Sequence, residues 1–142
     1  MPVTLSSALN ASASALSAER TRVEVAVSNL ANAESTRSVN GGPYRRRGVV
    51  LEADAGTTFD GALGQAVGVK VSEIVEDQTP PQTRYDPSHH DADKDGFIHL
   101  PNVDTKEEMV DMLGASRAYQ ANLAAVNIIR DMVQKALDLG RQ

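Results

Sequence analysis

Apolar side chains recur at every seventh position in two stretches of the chain, one near each end. Leu9, Leu16, Val23 and Leu30 mark the first, and Leu5, Ala26 and Val27 widen the same stripe. Met112, Tyr119, Val126 and Val133 mark the second, flanked by Met109, Leu113, Leu123, Ile129 and Leu137. Such a repeat keeps one helix face turned toward a packing partner. The pattern predicts helices from about Leu5 to Ala33 and from about Thr105 to Leu139. Pro2 and Thr4 precede the first, where a helix start is tolerated, and Asn32 is read as its end. Asp104 is a good N-cap for the second helix, with Glu107 three places on completing a capping box. Gly140 supplies a stop, with Lys135 and Arg141 near the negative end of the helix dipole. Thirty-odd residues at 1.5 Å each make a rod of roughly 50 Å, long for so small a protein.

The middle of the chain reads differently. Val67, Val69 and Val71 alternate and then slip phase at Ile74, which predicts a strand carrying a bulge. The segment YRRRGVVLEA predicts a second strand and FIHL a short third, separated by turn signals such as NGG, TPPQ, DPSHH and KDG. The expected fold class is therefore α+β. An N-terminal helix over 1–34 pairs as a coiled coil with a C-terminal helix over 104–142, and a small β-rich module over 35–103 lies between them. Each apolar stripe needs a partner, so the two ends must meet.

Composition weakens the expected core. Apolar residues make up 41% of the 142-residue chain, yet there is no Trp, only two Phe and three Tyr, and much of the apolar count is Ala. Ser6, Ser7, Ser12, Ser14 and Ser17 alternate with Ala in the first helix. Small side chains admit close neighbours but bury little area. At about 25 cal/mol per Å², such a stripe hardly offsets roughly 1–2 kcal/mol of backbone entropy per ordered residue. The helices are expected to fray when the chain is alone and to acquire order among neighbours. A chain with its apolar stripes at the ends rather than in the middle is arranged for assembly.

The net charge of −5 argues against nucleic acid as the main partner, because phosphate binding needs a basic face. No cysteine is present, so disulfides, thiolate metal sites and cysteine nucleophiles are excluded. The opening stretch MPVTLSSALNASASALSA has neither a basic n-region nor an unbroken apolar run. The expectation is a protein without a cleavable secretory signal and without direct membrane insertion.

With these residues in view, a family resemblance emerges. AVSNLANAEST (26–36) followed by GGPYRRR (41–47) resembles the N-terminal signature of the bacterial flagellar rod and hook axial proteins. EEMVDMLGASRAYQANLAAVNIIRDMVQKALDLGRQ (107–142) resembles their C-terminal helix. The segment from Val75 to Met112, with the short length, is most similar to the proximal rod branch of the basal body. The turn after NLANA departs from the pattern and is stretched into ESTRSVNGGPY. The resemblance implies a structural subunit exported unfolded through the flagellar type III apparatus. Its terminal helices would then pack into a rod that transmits torque, spans the periplasm and lines the export channel. The implied partners are copies of itself, other proximal rod proteins, the rod–ring adaptor, the distal rod, the membrane ring and the export gate.

DADKDGFIHLPN (91–102) has acids at Asp91, Asp93 and Asp95 and a glycine at Gly96, as in a calcium loop. An EF-hand needs a bidentate Glu at the twelfth place and a helix on each side, whereas Asn102 stands there and YDPSHH upstream reads as a turn. A surface turn is the favoured reading, and a small calcium- or metal-binding helical hairpin is the competing one. His89, His90 and His99 crowd these acids without helical ligand spacing and read as a solvated loop, with His99 on the exposed side of a strand. Arg45, Arg46 and Arg47 read as salt-bridging to acidic neighbours in an assembly. No arrangement for catalysis emerges, no cofactor or metal is expected, and Glu107 and Glu108 are accounted for by the helix dipole. The subunit-packing residues are taken as Leu9, Leu16, Val23, Asn29, Leu30, Met112, Tyr119, Gln120, Asn122, Leu123, Val126 and Val133. Amides buried in such a seam mark register, and Asn29, Gln120 and Asn122 are expected to face neighbouring subunits.

Overall fold

A computed structural model describes residues 5–38, 41–54 and 68–140. The expectations for Pro2, Thr4, Val67, Arg141 and the stretched turn at Val39 fall outside them. Helix α1 spans Leu5–Ala31 and helix α2 spans Thr105–Leu139. Between them lie strands β1 (Arg47–Asp54), β2 (Gly68–Glu76), β3 (Gln82–Tyr85) and β4 (Phe97–Leu100). The architecture is α+β, two long helices flanking a small strand module. At 1.5 Å per residue, the 27 residues of α1 make about 40 Å and the 35 of α2 about 52 Å.

Local chemistry sets the helix ends. Asn32 stops α1: its side-chain amide donates to Ser28 O at 2.8 Å, taking a carbonyl of the last turn. Asp104 is the N-cap of α2, with its carboxylate accepting the Lys106 N–H at 2.8 Å. Gly140 ends α2 at φ −77°, its N–H still bonded to Ala136 O, so the stop does not use a left-handed glycine. The helices run antiparallel, since the last turns of α1 meet the first turn of α2 at Asn29 and Glu108.

Strands β1 and β2 form an antiparallel hairpin whose register shifts between Val50 and Leu51. Val50 pairs with Glu73 while Leu51 pairs with Val71, which leaves Ser72 as the extra residue. This is the bulge expected from the phase slip. Its effect is to return Ile74 to the face of Val69 and Val71, opposite Val49, Leu51 and Ala53 on β1. The hairpin lies along α1. Its Arg47 end sits at Asn29, and its far end sits at Ser14, whose hydroxyl accepts the Val69 N–H at 3.0 Å and donates to Ala11 O at 2.8 Å. Gly68 permits the approach, because a Cβ there would lie 2.9 Å from Ser14 Oγ.

Strands β3 and β4 form a second two-stranded ladder, from Gln82 opposite Leu100 to Tyr85 opposite Phe97. The segment QTRY gives no apolar alternation, so nothing in the sequence pattern marks it as a strand. Ile98 on β4 is fully buried, while His99 beside it faces outward as expected. Two-stranded ladders are marginal alone, and the β1–β2 hairpin gains support from α1, against which both its strands pack.

Candidate functional site

The centre of the molecule is a polar latch where α1, the strand β1 and α2 meet. Asn29 is 1% exposed, and its amide is fully engaged. Its NH₂ donates to Arg47 O at 2.8 Å and to Glu108 Oε2 at 2.9 Å. Its Oδ1 accepts the Tyr44 hydroxyl and the Arg47 N–H, both at 2.9 Å. Glu108, 2% exposed, receives Arg46 Nε on its other oxygen at 2.6 Å. A carboxylate this deep in the chain is tolerated because a guanidinium and an amide satisfy it. Asn29 was expected to face a neighbouring subunit; its amide is instead saturated within its own chain.

The arginine run holds the linker to the fold. Arg45 donates to Gln78 Oε1 at 2.7 Å, Arg46 lies 3.7 Å from Asp111 as well as on Glu108, and Arg47 lies 3.6 Å from Glu76. Arg47 also sits 5.8 Å from the centre of the Tyr44 ring. The run is expected to salt-bridge to acidic neighbours in an assembly, and the partners it has in the structure lie within its own chain.

The predicted seam residues fall beside the deepest rows. Leu9, Leu16, Val23 and Leu30 are half-buried, as are Met112, Asn122, Val126 and Val133. Tyr119, Gln120 and Leu123 are exposed. The fully buried positions are Ala18, Ala26 and Asn29 on α1 and Glu108, Ala115 and Ile129 on α2. On α2 these belong to a different heptad row, Glu108–Ala115–Asn122–Ile129, four residues ahead of the expected one. Asn122 does not reach across, because its amide donates to Ala118 O of its own helix at 2.9 Å.

Large apolar side chains remain uncovered. Val110 is 70% exposed, Ile128 60% and Leu139 73%, and Met109, Leu113, Met132 and Leu137 are exposed with them. An open groove of about 430 Å³ runs between the helices, lined by Arg20, Val23, Glu24, Ser116, Tyr119 and Gln120. Apolar surface of this kind, along a helix whose inner face packs on α1, has the character that marks interaction surfaces in general. Among the described residues, no helix is long and apolar enough to cross a membrane.

Asp91, Asp93 and Asp95 lie in the connection between β3 and β4, so a strand rather than a helix stands on each side of these acids. Asp93 Oδ1 accepts the N–H groups of Asp95 and Phe97, both at 2.9 Å, and Gly96 turns the chain at φ +83°. Asn102 accepts from Gln82 Nε2 at 3.1 Å. Asp91 is a clasp on the linker: its Oδ2 accepts the Thr36 hydroxyl at 2.7 Å, and Arg37 Nε stands 2.8 Å from its Oδ1. That second contact is one of charge without hydrogen-bond alignment, since Oδ1 accepts no hydrogen bond. The Thr36 hydrogen bond, outweighing desolvation and helped by Arg37, holds the Asp91 pKa below its ordinary value. His89, His90 and Asp91 bring three donor atoms within 4.8 Å of one another. Two of those residues are already engaged with each other and the third with the backbone. His90 Nε2 lies 2.8 Å from Asp91 Oδ2, and His89 Nδ1 accepts the Asp91 N–H at 3.1 Å.

Comparison with known proteins agrees with this geometry at both ends of the chain. The family described as "Flagella basal body rod protein" matches residues 4–37, and "Flagellar basal body rod FlgEFG protein C-terminal" matches residues 94–139. The chain is 43% identical to the flagellar basal-body rod protein FlgC of Bacillus subtilis (strain 168), over 94% of this chain and 96% of that one. It is 45% identical to FlgC of Salmonella typhimurium over 90% and 92% of the two chains. With FlgC of Borreliella burgdorferi it shares 38% identity over 94% and 95%.

Proposed function

This chain belongs to the FlgC family of flagellar basal-body rod proteins, and from that premise we propose that it is a subunit of the proximal rod, exported unfolded and ordered by its neighbours. Its coarse role is structural, within the rod of the flagellar basal body, and serves motility. The finer reading is that α1 and α2 form the layer that packs against adjacent axial subunits and lines the export channel, with the strand module outside. The subunits in contact would be copies of this chain, other proximal rod proteins, the rod–ring adaptor and the distal rod. The membrane ring and export gate would lie at the base.

The observation that carries the reading is the helix α2, covered by α1 on one side and bare on the other. Val110, Ile128 and Leu139 face solvent although each is a large aliphatic side chain. Burying such a side chain fully is worth roughly 1.5–3 kcal/mol. Contact with successive neighbours along a helical assembly would recover that term many times per subunit. The Ala- and Ser-rich α1 suits export, because a seam of small side chains does not lock the chain before it arrives. Interlocked helices also suit a shaft under torque better than two short ladders.

Complementation tests this. A strain lacking its own copy should swim when given the full chain and should fail with residues 1–30 or 110–142 removed. Basal bodies isolated from the truncated strains should lack the protein. Swimming by either truncation would overturn the assembly role of the helices. Calcium titration by calorimetry addresses the competing reading: micromolar binding abolished by Asp93→Ala would favour a metal-responsive hairpin instead.

A further inference from the structure

The seam between α1 and α2 presents a problem of alignment. Its innermost side chains include Ala18, Ala26 and Ala115, which bury little area in any register. The half-buried side chains beside them repeat every seven residues, so a slip of one heptad again sets apolar rows against each other. Apolar burial therefore selects the pairing of the helices far better than it selects their register. The polar groups at the mouth of the hairpin do not repeat. Asn29 has all its hydrogen-bonding capacity filled by Arg47 N and O, the Tyr44 hydroxyl and Glu108 Oε2. Moving α2 by one turn would set Asp104 or Met112 opposite Asn29. Asp104 lies outside the helix proper, in extended backbone, with its carboxylate turned onto the Lys106 N–H as the cap, and Met112 has no strong acceptor. Moving it by a heptad would set Pro101 or Ala115 there, and Arg46 would lose its buried carboxylate.

We propose that the Asn29–Glu108 pair, closed by Arg46 and Tyr44, is the register key of the terminal helices. It admits the one alignment in which the β1–β2 hairpin is also seated on α1. The coupling to the hairpin follows from Arg47: both its backbone groups bond to the Asn29 amide, and Arg47 is also the first residue of β1, opposite Glu76. Correct helix register and hairpin docking thus become a single event. An unpaired buried donor shifts an equilibrium by roughly ten- to a hundredfold, enough to hold slipped forms to a small minority. The key lies within one chain and acts whichever neighbours the subunit meets, so it stands or falls separately from the assembly reading.

The chain has no cysteine, which allows two spin labels to be placed cleanly. Arg20→Cys on α1 and Glu107→Cys on α2 are exposed sites within the half of the seam nearest the latch. Pulsed electron resonance on the full chain, with an excluded osmolyte favouring the folded form, then reads their separation. One narrow distance is expected. Replacing the pair by Asn29→Leu with Glu108→Leu keeps the site filled and removes the key. The distribution should then broaden or split by about 5 Å for a one-turn slip or about 10 Å for a heptad. Glu108→Gln retains an acceptor for the Asn29 amide and should keep the narrow distance. A single unshifted distance in the double-leucine variant would overturn the proposal. So would a broad distribution in the chain with its latch intact.

Discussion

The Asn29 side chain donates to Glu108 Oε2 at 2.9 Å across a sequence separation of 79 residues, joining the last turns of one helix to the first turn of the other. Both groups are buried, so removing either strands its partner without water. Asn29→Ala and Glu108→Ala should each lower the unfolding free energy by about 2–4 kcal/mol in urea titrations followed by circular dichroism. Their effects should be non-additive in a double-mutant cycle, since each variant breaks the same network. Glu108→Gln should cost less than Glu108→Ala because an acceptor remains for the amide.

The approach of β2 to α1 at Ser14 gives a second prediction. A methyl at position 68 would lie 2.9 Å from Ser14 Oγ, which already holds the Val69 N–H. Gly68→Ala should destabilise the docked hairpin by about 1–3 kcal/mol, the usual cost of overpacking. The Val69 amide should lose protection against hydrogen exchange while amides at the Asn29 end of the hairpin keep theirs. Equal loss at both ends would mean that the hairpin is not seated along the helix as described.

The Asp91 clasp makes a pH-dependent contribution. The Thr36 hydrogen bond, then the Arg37 charge, lower its folded pKa below that of the unfolded chain, against an opposing desolvation. The stabilisation is therefore present above the unfolded pKa and lost as pH falls through the folded one. NMR titration of the Asp91 carboxyl carbon should give a pKa below the ordinary Asp value, and Thr36→Ala should raise it. An Asp91 that titrates at its ordinary value with Thr36 intact would contradict the clasp.

Surface substitutions should separate folding from assembly. Val110→Ser, Ile128→Ser and Leu139→Ser each change a side chain that is largely exposed in the single chain. Stability of the purified protein should move by no more than about 0.5 kcal/mol per site. Motility in soft agar and recovery of the protein in basal bodies should fall sharply when the three are combined. Normal swimming by the triple variant would mean that the bare face of α2 is not where neighbours dock.

Much of this fold was legible because it rests on period. The heptads gave both helices, Asp104 and Asn32 gave their ends, and the slip between Val71 and Ile74 gave the bulge at Ser72. What period could not reveal were the groups buried for their hydrogen bonds. The expected seam followed the most apolar row of α2, Met112–Tyr119–Val126–Val133, whereas the innermost row begins with Glu108 and includes Ala115 and Ile129. A glutamate in the first turn of a helix is ordinarily explained by the dipole. Nothing local distinguishes Glu108, which is buried, from Glu107, which is exposed. The clue lay elsewhere in the sequence, in the Arg46 that satisfies it, and only the antiparallel pairing brings the two together. Strand β3 escaped notice for a related reason: its residues Gln82–Tyr85 are all exposed, so no alternation marks it.

The central claim is that the helices are fixed at the latch and owe the rest of their order to neighbouring subunits. Hydrogen exchange of the purified chain at low concentration, read residue by residue, tests this most directly. Amides near Asn29 and Glu108 should be protected, with protection declining along α1 toward Leu5 and along α2 toward Leu139, and the outer turns should gain protection only in the assembled rod. Uniformly strong protection of both helices from end to end in the isolated monomer would contradict the account.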